Sequence, residues 1–369
     1  MSFFSLIVKL YLPIGTAVVA GLLFSFLLRR KLIQQRLPYE LDQKIPAYLG
    51  KFLFLIGVPL SVINFIRKAD LSGTIWIAPV VAWGAILFGM LCAWLWLRST
   101  ELEDLKSRKA IAIQDISTAH LLGQASGPSA PVRGSFTLAT MVGNTGYMGF
   151  PIILLLPQLG PDYFGWALLY DALGTFFGAY GIGVILAARF RSQHQTAQAA
   201  AAYYLDTALP TQTQAKENPV WGIVKELVKN PTIFAFVIGL LLRSVVFPEL
   251  ADYLLNGFAW TVVMLSLGLM GMRLQQLDSW SNLRWASVAV AIKMLLIPLT
   301  VAMFLTAIGI EGPPRLVLIL QSAMPSAFAT LVLAEAYNLD RDLVVTALGL
   351  SSATLVFTLP FWLWGFATW

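Results

Sequence analysis

Four ionisable residues interrupt stretches that are otherwise apolar: Lys51, Asp171, Lys293 and Glu335. A charge at membrane depth is costly to keep, so each is a candidate for coupling or charge recognition. Lys51 and Glu335 lie near the ends of their apolar runs, where a long side chain reaches the interface. Lys293 falls near the middle of its run, and Asp171 about a third of the way along its own. The two could neutralise each other as a structural pair, or one could carry a proton or face a ligand's charge. Spacing alone leaves those alternatives open.

Neutral polar residues collect at two other places. One segment reads Gly143-Asn144-Thr145-Gly146-Tyr147-Met148-Gly149-Phe150-Pro151, and the other Gln321-Ser322-Ala323-Met324-Pro325-Ser326, followed by Thr330. Proline lacks an N–H and crowds the preceding turn, so each segment should interrupt a helix. Such a break is tolerated in a bilayer only where the freed polar groups face protein or a wet cavity. The half-helix beginning after a break presents a positive dipole end, which favours an anion. Asn144, Thr145, Ser322 and Ser326 then supply hydrogen bonds, while Pro151 and Pro325 shape the breaks. A pair of simple proline kinks packed by small residues is the plainer account of either segment taken singly.

These residues must be carried by membrane helices. Apolar types make up 58% of the 369 residues and charged types 12%, about half the charged share of a soluble domain. Mean hydropathy is +0.74. About 20 apolar residues span the hydrocarbon, and that ruler gives ten spans: Leu6–Leu28, Ile45–Ile66, Ile75–Leu97, Gly134–Leu156, Tyr163–Ala188, Pro231–Phe247, Leu254–Met272, Leu283–Ile308, Arg315–Ala336 and Leu343–Phe366. The sixth is the shortest. The first lacks a basic leader and reads as a retained span. The 98–133 loop and the Gln/Ala/Thr-rich 190–229 stretch read as polar connections, the latter as a flexible linker. Most Lys and Arg, including Arg29, Arg30, Lys106, Lys109, Arg189 and Arg191, fall on one side if both termini lie outside the cytoplasm.

The linker divides the chain into a first five-helix repeat (1–189), the cytoplasmic linker (190–229) and a second five-helix repeat (230–369). An odd number of spans per half inverts the second half. Pro13-Ile-Gly-Thr-Ala-Val-Val-Ala-Gly-Leu-Leu aligns with Pro231-Thr-Ile-Phe-Ala-Phe-Val-Ile-Gly-Leu-Leu, and Pro151 and Pro325 fall in the fourth span of each half. Inverted repeats with broken helices are a carrier design that allows alternating access.

The motif NTGYMGFP resembles the Asn-Thr-Gly…Gly…Pro motif of the auxin efflux carrier family, and SAMPSAFATLVLAEAYNLD is similar to that family's ninth span. Pro59 and the Leu-Gly-Leu within Ser266–Met270 fit as well, so the resemblance covers nearly the whole chain. It implies an all-α integral membrane fold of ten transmembrane helices, two inverted five-helix repeats, and helices 4 and 9 crossing at their prolines. It also implies that Asn144, Pro151 and Pro325 frame the substrate site, and that the protein is a homodimer in the cell membrane.

The resulting expectation is a secondary transporter of a small organic anion, a carboxylate or an auxin-like weak acid, embedded in lipid and coupled to protons, to membrane potential or to the substrate gradient. A sodium-coupled symporter of the bile-acid or bicarbonate type is the alternative, and a membrane receptor is the reading outside transport. Nothing in the sequence calls for a cofactor, a metal or nucleic acid. His120 and His194 stand in polar stretches, Cys92 is the one cysteine, and no HExxH, P-loop or GxSxG motif is present. Enzyme chemistry has no foothold.

Overall fold

The computed structural model describes residues 12–34, 40–69, 71, 73–114, 127–204, 231–275 and 282–366. Among these, every regular element is helical. Helix α1 is Leu12–Gln34. Helix α2 runs Glu40–Phe52, through a π turn at Leu53–Gly57, into Val58–Lys68; α3 is Ile77–Gln114 and α4 Ala130–Met141. Helix α5 begins with a π turn at Thr145–Gly149 and continues as Phe150–Leu155. Helix α6 comprises Phe164–Tyr170, π turns at Asp171–Thr175 and Gly178–Gly183, and Val184–Tyr204. Then come α7 (Pro231–Leu241), α8 (Glu249–Gln275) and α9, which is Leu283–Ala291, a π turn at Ile292–Leu296, and Ile297–Ala307. The last three are α10 (Gly312–Ser322), α11 (Phe328–Ala336) and α12 (Arg341–Phe366).

Among the described residues, seven continuous helical stretches are long and apolar enough to cross a membrane: Leu12–Arg30, Lys44–Lys68, Gly73–Ser107, Pro161–Thr196, Glu249–Met272, Leu283–Ala307 and Arg341–Phe366. The chain is a multi-pass membrane protein. Within the described residues the three remaining apolar stretches of the sequence are shorter. Two are cut, into α4 with α5 and α10 with α11, and the third is the short apolar helix Phe234–Ser244.

Three π turns share a sequence cause. Leu53–Gly57 is followed by Val58-Pro59, Thr145–Gly149 by Phe150-Pro151, and Ile292–Leu296 by Ile297-Pro298. A proline inside a helix cannot donate to the turn before it, and its ring pushes that turn's carbonyl aside. The turn widens and the helix continues.

Two polar stretches are more helical than their composition implied. Helix α3 continues through the charged residues beyond Arg98 to Gln114, and α6 runs through Ala- and Gln-rich sequence to Tyr204. Ala, Gln, Glu, Lys and Arg are good helix formers. Helix α3's extension is tied to the start of α4 by an Arg133–Glu101 ion pair of 3.0 Å. The remainder of the linker, 205–230, and His120 lie outside the described residues.

The helices associate in two groups. In one, α1 packs on α8, and α2 on α7 and α8. Gly21 and Gly271 let α1 and α8 approach closely: a Cβ on Gly21 would lie 1.9 Å from the Gly268 carbonyl oxygen, and one on Gly271 1.9 Å from that of Val18. Small residues serve this purpose between membrane helices, where close packing drives association. In the other group, α3, α4, α5, α6, α9, α10, α11 and α12 surround the two interruptions. The groups meet mainly where α2 and α8 face α5 and the start of α6.

Candidate functional site

The two interrupted helices cross at their breaks. Gly143 pairs with Ser326 in an antiparallel bridge. The Asn144 N–H donates to the Pro325 carbonyl at 2.7 Å, and the Ala327 N–H to the Val142 carbonyl at 3.0 Å. Backbone groups released from the helices therefore satisfy each other, as burial requires. The Ser326 hydroxyl donates to the Ala139 carbonyl at 2.7 Å, and the Ser326 N–H donates to the Ser351 hydroxyl oxygen at 3.2 Å.

The crossing point differs from the proline-to-proline meeting that the resemblance implied. Pro325 lies within its break, but Pro151 occupies the first turn of the Phe150–Leu155 segment, with the break upstream at Val142–Asn144. Pro151 follows the widened turn and leaves α5 continuous. The interruption is instead set by the extended backbone of Val142 and the non-helical φ/ψ of Asn144.

Beside the crossing is a cavity of about 330 Å³, within the size range of small-molecule sites. The start of α5 supplies Asn144, Thr145, Gly146, Tyr147 and Phe150, and the start of α11 supplies Ala327, Phe328 and Ala329. Helix α6 contributes Asp171 and Thr175 through its first π turn, then Phe176 and Tyr180. From the other helix group, α2 contributes Gly50, Lys51, Phe54 and Val58. The walls are thus aromatic and apolar, with polar groups concentrated at the crossing. Two half-helices start here, at Thr145 and Phe328, and a helix N-terminus concentrates positive partial charge.

Of the residues singled out in the sequence, Asn144, Thr145, Asp171 and Lys51 line this cavity. Asn144 is buried, and its amide nitrogen lies 4.0 Å from the sulfur of Met270 on α8, across the boundary between the groups. The Thr145 hydroxyl donates to an Asp171 carboxylate oxygen. Lys51 lines the cavity and is itself exposed. Pro151, Ser322, Pro325 and Ser326 are not among the lining residues: the serines and Pro325 build the crossing, and Pro151 lies farther along α5.

Lys293 and Asp171 do not pair. The Lys293 amine donates to the Ser322 carbonyl at 2.8 Å, whereas Asp171 faces the cavity with Thr145. Glu335 forms an exposed 2.9 Å ion pair with Arg341, the surface position that its place near a helix end implied. Among the described residues no cluster of His, Cys, Asp or Glu has metal-site geometry.

Beyond the cavity the helix groups close against each other. Phe65 on α2 lies 5.1 Å, centroid to centroid, from Phe164 on α6, and 5.9 Å from Trp260 on α8. Phe164 also meets Phe150 at 5.0 Å. Tilted and edge-on pairs of this kind each contribute about 0.5–1.5 kcal/mol beyond burial. Only a gap of about 20 Å³ remains among Val58, Val62, Phe65, Phe150, Phe164 and Val262.

The apolar and aromatic lining escaped sequence reading because a cavity wall and a lipid-facing surface use the same residue types. Pro59, Pro151 and Pro298, each following a widened turn, were the available sequence signal for the local distortions. Gln321, buried against Gly149, carried no such signal.

A family model described as membrane transport protein matches residues 108–363. The chain belongs to the auxin efflux carrier family. This member is 24% identical over 236 residues to an uncharacterized transporter of Methanocaldococcus jannaschii, covering 63% of this chain and 68% of that one. It is 22% identical over 330 residues to an uncharacterized transporter of Methanothermobacter thermautotrophicus, covering 87% of this chain and 89% of that one. The matched family is one of membrane transport proteins and both named relatives are transporters, which supports a transporter here.

Proposed function

We propose that this protein carries a small organic monoanion, a carboxylate with an apolar body, by alternating access at the crossing cavity. The observation carrying this reading is the convergence of two half-helix N-termini, with Asn144 beside them, on a largely apolar pocket. Positive helix ends and an amide donor favour a carboxylate. Phe54, Phe150, Phe176, Tyr180 and Phe328 offer its hydrocarbon part a dry surface. Lys51 is the one lining lysine, and Asp171 adds a carboxylate; that balance favours a single anionic group over two. Asn144 and Thr145 contact the substrate, while Ser322, Pro325 and Ser326 hold the crossing and Pro151 shapes α5.

In this reading the chain spans the cell membrane ten times as two inverted five-helix repeats, 1–189 and 230–369, joined by a cytoplasmic linker. The distribution of Lys and Arg supports both termini on the non-cytoplasmic side, and the cavity then opens to the cytoplasm past Lys51. Alternating access follows from relative movement of the two helix groups. The homodimer implied by the family resemblance would form around this unit.

Purified protein in proteoliposomes tests the reading through saturable uptake and counterflow of labelled mono- and dicarboxylates and indole acids. Uptake of an apolar monocarboxylate that falls in Asn144→Ala supports it. Wild-type vesicles that accumulate no member of the panel, with no thermal shift on its addition, would refute it. Replacing sodium by choline separates this carrier from a sodium-coupled symporter.

A further inference from the structure

The crossing also carries helix ends of the opposite polarity. Helices α4 and α10 end there, at Met141 and Ser322, and a helix C-terminus concentrates negative partial charge on carbonyls that lack N–H partners. Several such carbonyls are accounted for: Ala139 accepts from the Ser326 hydroxyl, and Val142 from the Ala327 N–H. Ser322 accepts from Lys293 at 2.8 Å.

Lys293 sits in the π turn Ile292–Leu296 and is 3% exposed. It also abuts the other break. A Cβ on Gly143 would lie 3.0 Å from both Nζ and Cε of the lysine, so the side-chain end occupies the space that a larger residue at 143 would fill. Among the described residues no carboxylate is within ion-pair distance of it. An isolated ammonium in an apolar interior is strongly disfavoured unless its surroundings supply compensating charge. Here the compensation is the Ser322 carbonyl, with the ends of α10 and α4 beside the ammonium.

Unwound carbonyls and half-helix C-termini at a midplane crossing also hold the coupling sodium ion in cation-driven carriers. We infer that the ammonium of Lys293 is a tethered cation filling that position, so that this protein needs no free sodium to hold its crossing or to bind substrate. The inference rests on the carrier reading for its transport consequence and on the crossing geometry alone for its structural one. It gives the sodium-coupled alternative a specific obstacle: the place for the ion is taken by a side chain. Removing the charge while leaving space should convert the crossing into a site that requires a free cation.

The test uses the purified full chain, wild type and Lys293→Ser, in sodium, potassium or choline chloride at equal ionic strength, without substrate. Wild-type Tm should be the same in all three salts. Lys293→Ser should melt lower in choline and regain at least about 3 °C in sodium. A wild type stabilised specifically by sodium, or a folded Lys293→Ser indifferent to the cation, would overturn the inference. If Lys293→Ser does not fold, Lys293→Arg and Lys293→Met decide it: the inference requires Arg to preserve the fold better than Met, and equal behaviour of Met and wild type defeats it. In proteoliposomes, wild-type carboxylate uptake should be unchanged when choline replaces sodium, and uptake that disappears counts against Lys293. Failure to take up any carboxylate counts against the carrier reading instead, and the substrate-free melting series still decides the role of Lys293.

Discussion

The main-chain N–H of Asn144 donates to the carbonyl of Pro325 over 2.7 Å, joining two breaks that lie 181 positions apart in the chain, the difference between 325 and 144. The side chain in the cavity is thus held by a backbone bond that its own substitution leaves intact. This separates positioning from recognition. Asn144→Ala should insert and melt like wild type but bind the carboxylate about 10- to 100-fold more weakly, the loss expected for a hydrogen bond to a charged group. Calorimetric titration of the purified variant checks it, and unchanged affinity removes the Asn144 amide from the site.

Asp171 lines the same cavity as Asn144 and accepts from Thr145. Asp171→Asn retains an oxygen acceptor for that hydroxyl and removes a negative charge from the pocket. Anion affinity should rise, on the order of tenfold, in equilibrium binding at neutral pH. A lower affinity would mean that the carboxylate assists substrate binding rather than opposing it.

Two glycines on α5 should respond in opposite ways. A Cβ on Gly149 would lie 2.2 Å from the side-chain oxygen of Gln321, which is fully buried. Gly149→Ala should therefore cost about 1–3 kcal/mol in unfolding experiments, as overpacking does. At Gly146 the nearest atom to a Cβ is an Asp171 oxygen at 3.7 Å, an ordinary contact. Gly146→Ala should keep its stability and alter substrate affinity by narrowing the cavity. Equal melting temperatures for the two variants would contradict this packing.

Pro151 is within α5, downstream of the break. Pro151→Ala should let the widened turn at Thr145–Gly149 relax while leaving the Asn144–Pro325 bond in place. Substrate affinity is expected to stay within about threefold of wild type, a change below 1 kcal/mol. A tenfold loss in a binding titration would tie the π turn directly to recognition.

The aromatic contact between Phe65 and Phe164 can be tested by linkage. With Cys92 replaced by alanine, Phe65→Cys and Phe164→Cys bridged by a short bifunctional thiol reagent should abolish uptake. Substrate should still raise Tm in the bridged protein, because neither Phe65 nor Phe164 lines the cavity. Full uptake after complete bridging would show that this contact does not part during the cycle.

The broad architecture was legible in the sequence because membrane helices announce themselves by apolar length. The two interruptions were legible because Asn144, Pro151 and Pro325 are unusual company for a lipid-embedded helix. Local proline chemistry did not locate both breaks. Pro325 lies in one, whereas Pro151 follows a widened turn, and the other break depends on pairing between Val142–Asn144 and Pro325–Ala327. Such pairing is a tertiary event with no local signature. The same limit applied to Lys293 and Asp171, whose separation depends on which face of the crossing each helix presents. Phe54, Phe176 and Tyr180 were readable as apolar residues but not as a cavity wall.

The rings of Phe65, Phe150, Phe164 and Trp260 are packed against one another in this conformation. Each molecule delivered would need a separate rearrangement of those contacts. Collective motions of that size take microseconds to milliseconds, which caps throughput at roughly 10³–10⁶ events per second. Flux should consequently grow with the number of protein copies and level off with ligand concentration, without discrete current steps in a planar bilayer.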